Sequence, residues 1–263
     1  MTPPRQAHGG SYQSDTMSEK PLEGQLALVT GGGKRIGKAI ALTLARAGAG
    51  VIVNYHQSRD GALATVGEIA ALGVGAVALR ADVSRPRQVA AMFRAIEKRF
   101  GRLDLLVNNA GVFFPRTWDA IGEKDWDRVL GANLKGPFFC AQAAARMMMR
   151  QGRGNIINIS SLGGLQAWPG YMHYCASKAA LISLTRSLAK ALAPAIRVNS
   201  VAPGTIRFPE EESSAAVRKM IRAIPVREAG GAEDIAQMVL FLATHSQFIT
   251  GQVFSVDGGK SIP

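Results

Sequence analysis

Cysteine, long apolar runs and acidic side chains are all scarce in this chain. Its 263 residues hold two cysteines, Cys140 and Cys175. Two thiols make no disulfide framework and no metal-ligand spacing, which excludes a stapled secreted scaffold and a zinc module and fits a reducing, cytoplasmic setting. No apolar stretch approaches the roughly 18 residues of a membrane span, so no membrane helix is expected. The first residues lack the charged and then apolar run of a secretory signal. Acidic residues number 19 against 31 Lys and Arg, a net charge of +12. Such an excess suits an anionic ligand, but the cations are scattered through the chain with no interleaved aromatic stripe, so a solvated basic surface and no nucleic-acid partner are expected.

The apolar fraction of 47% and charged fraction of 19% are ordinary for a globular chain, and the length suits one large α/β domain. Residues 1–23, with Pro3-Pro4, Gly9-Gly10 and several Ser and Gln, are too polar to repay ordering and are expected to be a tail, leaving 24–263 as the domain. From there short apolar runs alternate with helical patterns. Runs at 25–30, 51–54, 76–80, 103–107, 154–159, 196–201 and 252–256 predict seven strands, and 38–47, 60–72, 87–99, 118–151, 172–193 and 232–243 predict helices. That alternation predicts a doubly wound parallel sheet.

The first strand runs into Gly31-Gly32-Gly33-Lys34-Arg35-Ile36-Gly37 and then a helix. Glycines let backbone approach a diphosphate, and the amides at a helix start favour negative charge, so this turn predicts a dinucleotide. About 20 residues on, where a carboxylate would hold the ribose of NAD, stands Asn54-Tyr55-His56-Gln57-Ser58-Arg59. Without that carboxylate a 2′-phosphate is not repelled, and Arg35, Ser58 and Arg59 are placed to hold one; NADP(H) is the expected cofactor. Asp82 at the third strand's end suits either an adenine amine or a helix cap. Asn108-Asn109-Ala110-Gly111 at the fourth suits a turn held by side chains near the cofactor.

Tyr174 and Lys178 are four residues apart in a predicted helix, hence on one face, and a fixed ammonium there should make the phenol easier to ionise. Ser160 and Ser161 end the fifth strand, where a hydroxyl can bond the same substrate oxygen as the tyrosine. Asn133 sits inside a predicted helix, a placement that asks for a reason.

From about Gly24 to Gly259 the chain resembles the short-chain dehydrogenase/reductase family, through Thr30-Gly31-x-x-x-Arg35-x-Gly37, Asp82-Val83, Asn108-Asn109-Ala110-Gly111, Asn133, Ser161, Tyr174-x-x-x-Lys178 and Pro203-Gly204. The resemblance implies a seven-stranded Rossmann sheet and a catalytic set of Asn133, Ser161, Tyr174 and Lys178, with Asn133 holding a water that relays protons to Lys178. It implies a cofactor against Gly31, Lys34, Arg35, Ile36, Gly37, Tyr55, His56, Ser58, Asp82, Val83, Asn109, Ala110, Gly111, Tyr174, Lys178, Pro203 and Gly204, no metal, and a homotetramer. Arg35 stands where the family commonly has glycine, which resembles the pteridine reductase branch, as do the Asn54 to Ser58 segment and Phe113. That branch implies a dihydropterin stacked on Phe113, with Arg35, Ser161 and Tyr174 also contacting substrate; its protozoan members carry aspartate at the Ser161 position and serine at the Gly111 position. The expected function is therefore a pteridine-type reductase acting on dihydropterin or dihydrofolate substrates, with two alternatives: a carbonyl reductase of the 3-oxoacyl or polyol kind, and a cofactor-sensing protein without turnover. Thr205 follows Gly204 directly, and Glu210-Glu211-Glu212 has the polarity of a substrate lid or of a surface loop.

Overall fold

The computed structural model describes residues 20–208, 215–245 and 247–262. In chain order the elements are β1 (Leu26–Val29), α1 (Arg35–Arg46), β2 (Gly50–Tyr55), α2 (Arg59–Ala71), β3 (Ala76–Arg80), α3 (Pro86–Phe100), β4 (Leu105–Asn108), α4 (Glu123–Leu130), α5 (Gly136–Gln151), β5 (Gly154–Ile159), α6 (Met172–Leu192), β6 (Ile196–Pro203), α7 (Ala215–Arg222), α8 (Ala232–Thr244) and β7 (Val253–Val256). The seven strands form one parallel sheet in the order β3-β2-β1-β4-β5-β6-β7. The expected Rossmann-type, doubly wound sheet in a single domain is what the chain adopts.

Both faces of the sheet are covered, which is why its strands read as nearly unbroken apolar runs. Side chains alternate between the faces with period two. Ala27 and Val29 of β1 join Val53, Val107 and Ile157 under α1 and α8, through Ile40, Leu44, Ile235 and Val239. Leu26 and Leu28 join Ile52, Leu106 and Ile156 under α3 and α5, through Phe93, Ile96, Cys140 and Met148. The strand order turns back between β1 and β4, so their carboxyl ends diverge and open the crevice in which such sheets bind ligands.

Two expectations change. Leu22, assigned to the tail, is 2% exposed and donates its backbone N–H to Ala47 O, so the ordered fold starts before residue 24. The single helix expected over 118–151 is interrupted. Between α4 and α5 lies a π-helical turn, Gly131–Lys135, in which the Gly136 N–H reaches back five residues to Gly131 O. Pro137 follows with no N–H to give, so the regular ladder cannot be kept there. The expected tail up to residue 19 and the Glu210-Glu212 segment lie outside the described residues. Among the described residues no helix is long and apolar enough to cross a membrane, and no cluster of His, Cys, Asp or Glu could hold a metal ion.

Candidate active site

The crevice wall after β1 is built from backbone. Gly31 has φ 63°, in the region glycine enters without strain. A Cβ on Gly37 would stand 2.3 Å from Gly31 O, and one on Gly33 would stand 2.7 Å from the Ala62 nitrogen, so this loop packs as only glycine allows. Thr30 and Asn109 lock β1 to β4: Thr30 Oγ1 accepts from the N–H of Asn109 and of Ala110 at 3.0 Å each, and Asn109 Nδ2 donates to Thr30 O at 2.9 Å. Ile36 packs against the core under α1, Ala110 against the core on the other face, and Lys34 and Arg35 are exposed.

Asn54, at the ribose position, turns inward. Its Oδ1 accepts from Gly31 N–H at 3.3 Å, and its Nδ2 donates to Leu79 O at 3.2 Å and Ala81 O at 3.1 Å, tying the loop to β2 and β3. Tyr55 and Ser58 are half-buried and His56 exposed beside it. Asp82 Oδ1 accepts from Ser84 N–H at 2.9 Å and Oγ at 2.7 Å, the turn-capping role; its Oδ2 lies 3.9 Å from both His56 Nε2 and Arg85 Nε. Val83 is buried under Gly136, and Gly204 lets the end of β6, Pro203, pass so close to Asp257 that a Cβ would meet its Cα at 2.6 Å.

The other end is built from side chains, with Ser161 and Lys178 buried and Tyr174 half-buried. Ser161 leaves β5 with its Oγ accepting from Gly163 N–H at 3.0 Å, near enough to the Tyr174 phenol to ease its ionisation. Lys178, on the next turn of α6, donates from Nζ to Ile159 O at 2.7 Å and stands 5.8 Å from the centre of the Tyr174 ring. Asn133, fully buried in the π turn, accepts from Val112 N–H at 2.8 Å and donates to Val112 O at 3.0 Å and Ser177 Oγ at 3.1 Å. The amide thus clamps the loop after β4 onto α6. Gly111 faces it, and a Cβ there would be 3.0 Å from Asn133 Oδ1.

The expected easing of Tyr174 ionisation is reversed. Burial pushes the phenol up to about 12, with Ser161 opposing, while burial alone pulls Lys178 down to about 8. Both groups are removed from water, and burial disfavours whichever form is charged. At neutral pH this leaves a protonated phenol beside a mostly protonated amine.

Around that phenol stand other rings. Phe113, 57% exposed, stacks on Tyr171 at 4.5 Å and 3° and meets Tyr174 edge-on at 4.7 Å, while Trp168 lies nearly parallel to Tyr174 at 6.3 Å. The stacking face expected of Phe113 is therefore engaged by Tyr171 on one side.

Sequence reasoning missed the buried polar spine that aims α6. Asn108 Nδ2 donates to Asn158 Oδ1, and Asn158 Nδ2 to Thr185 Oγ1, each at 2.9 Å, while Ser200 Oγ donates to Ser160 Oγ at 2.7 Å. An asparagine inside the apolar run of β5 was its one signal. His173, also missed, is fully buried with neither ring nitrogen hydrogen-bonded; it meets Phe114 edge-on at 4.9 Å.

A family model described as Enoyl-(Acyl carrier protein) reductase matches residues 32–261. The chain is similar to the 3-oxoacyl-[acyl-carrier-protein] reductase of a Synechocystis species, at 42% identity over 90% of this chain and 97% of that one. The chain belongs to the short-chain dehydrogenase/reductase family. Among solved members it is similar to a short-chain type dehydrogenase/reductase from Mycobacterium marinum, at 38% identity and TM-score 0.86, covering 92% of this chain and 97% of that one. It is equally similar in shape to a blue fluorescent protein from a metagenomic library in complex with NADPH, at 36% identity and TM-score 0.86 over 92% and 99% of the two chains. As a short-chain dehydrogenase/reductase the protein is an oxidoreductase that uses a nicotinamide cofactor.

Proposed function

We propose that this enzyme is an NADPH-dependent carbonyl reductase of the 3-oxoacyl kind, turning a ketone into a secondary alcohol. The observation that carries the proposal is the Tyr174 phenol, kept protonated by burial and placed beside Ser161 at the end of β5, with Lys178 Nζ 5.8 Å from the centre of its ring. The glycine cradle after β1, which any side chain would fill, fits the cofactor's diphosphate. NADPH, when bound, supplies the hydride that reaches the carbonyl carbon. Ser161, whose Oγ already accepts from Gly163, has its own O–H to direct at the carbonyl oxygen. Tyr174 gives that oxygen its proton, and Lys178, as an ammonium, offsets the phenolate left behind until water reprotonates it. Asn133 acts by holding the loop after β4 against α6.

NADPH is favoured over NADH because no carboxylate faces the ribose position: Asn54 is turned inward, and Lys34, Arg35 and Arg59 are exposed around it. The carbonyl reading is favoured over dihydropterin reduction by the 3-oxoacyl reductase relative, by Ser161, and by Gly111, where a Cβ would press on Asn133 Oδ1 at 3.0 Å. Arg35 in a glycine position still supports the pteridine-type reading. Following NADPH absorbance with an acetoacetyl thioester, a diketone, dihydrobiopterin and dihydrofolate separates the two. Turnover of the carbonyl compounds is expected; turnover of the pterins alone, or equal efficiency with NADH, defeats the proposal. A homotetramer is part of the same reading, supported by Phe248 and Ile262 standing exposed around β7; light scattering on the purified protein tests it.

A further inference from the structure

Arg35 is a non-glycine residue with a left-handed backbone, φ 51°, a conformation that ordinary side chains rarely adopt. Its guanidinium lies over the ring of Phe208, 4.6 Å from the centroid. The two residues come from segments far apart in the sheet: Arg35 follows β1 and Phe208 follows β6, with β4 and β5 between them, about 14 Å of sheet at the usual strand spacing. Phe208 is aimed across that distance by a strand-like anchor, since Ile206 bridges to Gly230 and Arg207 N–H donates to Gly230 O at 2.9 Å. Ile206 itself packs on the core beside Ile36. The contact thus joins the glycine turn after β1 to the segment after β6 across the carboxyl ends of the strands between them.

We infer that Phe208 is a cofactor-positioning residue, which holds the Arg35 guanidinium over the diphosphate-binding part of the crevice. The inference rests on the dinucleotide reading above. A ring against the face of a guanidinium engages none of its N–H groups, so the stack fixes the cation's position and orientation while its plane stays compatible with bidentate bonds to phosphate oxygens. Side-chain entropy that Arg35 would otherwise lose on binding is lost beforehand, which slows release of the bound dinucleotide more than it changes capture.

The test is NADPH release followed by stopped-flow fluorescence, with equilibrium affinity measured for NADPH and for adenosine 2′,5′-bisphosphate, which lacks the diphosphate bridge. Phe208→Ala is expected to speed NADPH release roughly five- to tenfold, the span a cation–π contact covers, and to leave the bisphosphate affinity and the cofactor-free melting temperature unchanged. Phe208→Tyr should restore slow release. In an Arg35→Gly background Phe208→Ala should add nothing. Unchanged NADPH release in Phe208→Ala, equal weakening of the bisphosphate, or a full additional loss in the Arg35→Gly background overturns the inference while leaving the cofactor reading intact. Failure of the unaltered protein to bind NADPH at all overturns both.

Discussion

The two ends of the crevice are made of different material. After β1 the groups offered to a ligand are main-chain atoms, exposed by Gly31, Gly33 and Gly37 and held by Thr30, Asn54 and Asn109. After β5 they are side chains, Ser161, Tyr174 and Lys178, carried into the interior and supported by the Asn108–Asn158–Thr185 spine. A backbone cradle binds by shape and works without burial of charge, so its cost is glycine entropy. A proton-transfer end needs a phenol and an amine out of water, so its cost is desolvation.

That difference can be broken from either side. The largest effect is expected at Lys178. Replacing it by Met removes the cation that offsets the Tyr174 phenolate, and reduction should slow by about 10²- to 10³-fold. The same change should stabilise the fold. Burial lowers Lys178 from 10.5 to about 8, a penalty of up to about 3 kcal/mol on keeping it charged at neutral pH. Because the folded value is the lower one, the penalty is full below pH 8 and fades as pH rises to 10.5. Denaturant titrations at pH 7 and pH 10 should therefore show Lys178→Met ahead at the first and most of its lead lost at the second. For the unaltered enzyme, reduction should decline above about pH 8 as the amine loses its proton.

At the other end, Gly37→Ala drives a Cβ against Gly31 O and Asn109 Nδ2. NADPH affinity should fall by roughly ten- to a hundredfold, about 1.4–3 kcal/mol, read by fluorescence titration. Little change there would mean that the cradle does not depend on main-chain approach. The smallest effect is expected at His173, whose buried nitrogens find no hydrogen-bond partner among the described residues and whose imidazole is held in its neutral form chiefly by desolvation. His173→Phe exchanges an unsatisfied polar ring for an apolar one of similar shape, and stability should change by less than about 1 kcal/mol in either direction. A larger loss would show that the imidazole makes bonds the static contacts do not include.

The cradle was the more legible end. Strand, glycine turn and helix follow one another in sequence, so spacing alone located Gly31 to Gly37, and the alternation of elements predicted the doubly wound parallel sheet. At the proton-transfer end the sequence located Ser161, Tyr174 and Lys178 but misread their electrostatics. An i,i+4 pair on a helix says how near two groups are and nothing about how much water remains around them, and here water decides the sign for Tyr174. The same blindness to tertiary contact hid the π turn at Gly131–Lys135, since Asn133 is held there by Val112 and Ser177, neither of which is its helical neighbour. Asn54 and Asp82 were found at the right strand ends, yet their hydrogen bonds go first to the protein itself.

The most direct test of the account is Tyr174→Phe, assayed for single-turnover ketone reduction and for NADPH affinity on the same preparation. The phenol's oxygen is the proposed proton source and no part of the backbone cradle, so reduction should fall by about 10²- to 10⁴-fold with NADPH affinity changed by less than about threefold. Near-normal reduction in that variant would contradict the assignment of Tyr174 as the proton donor.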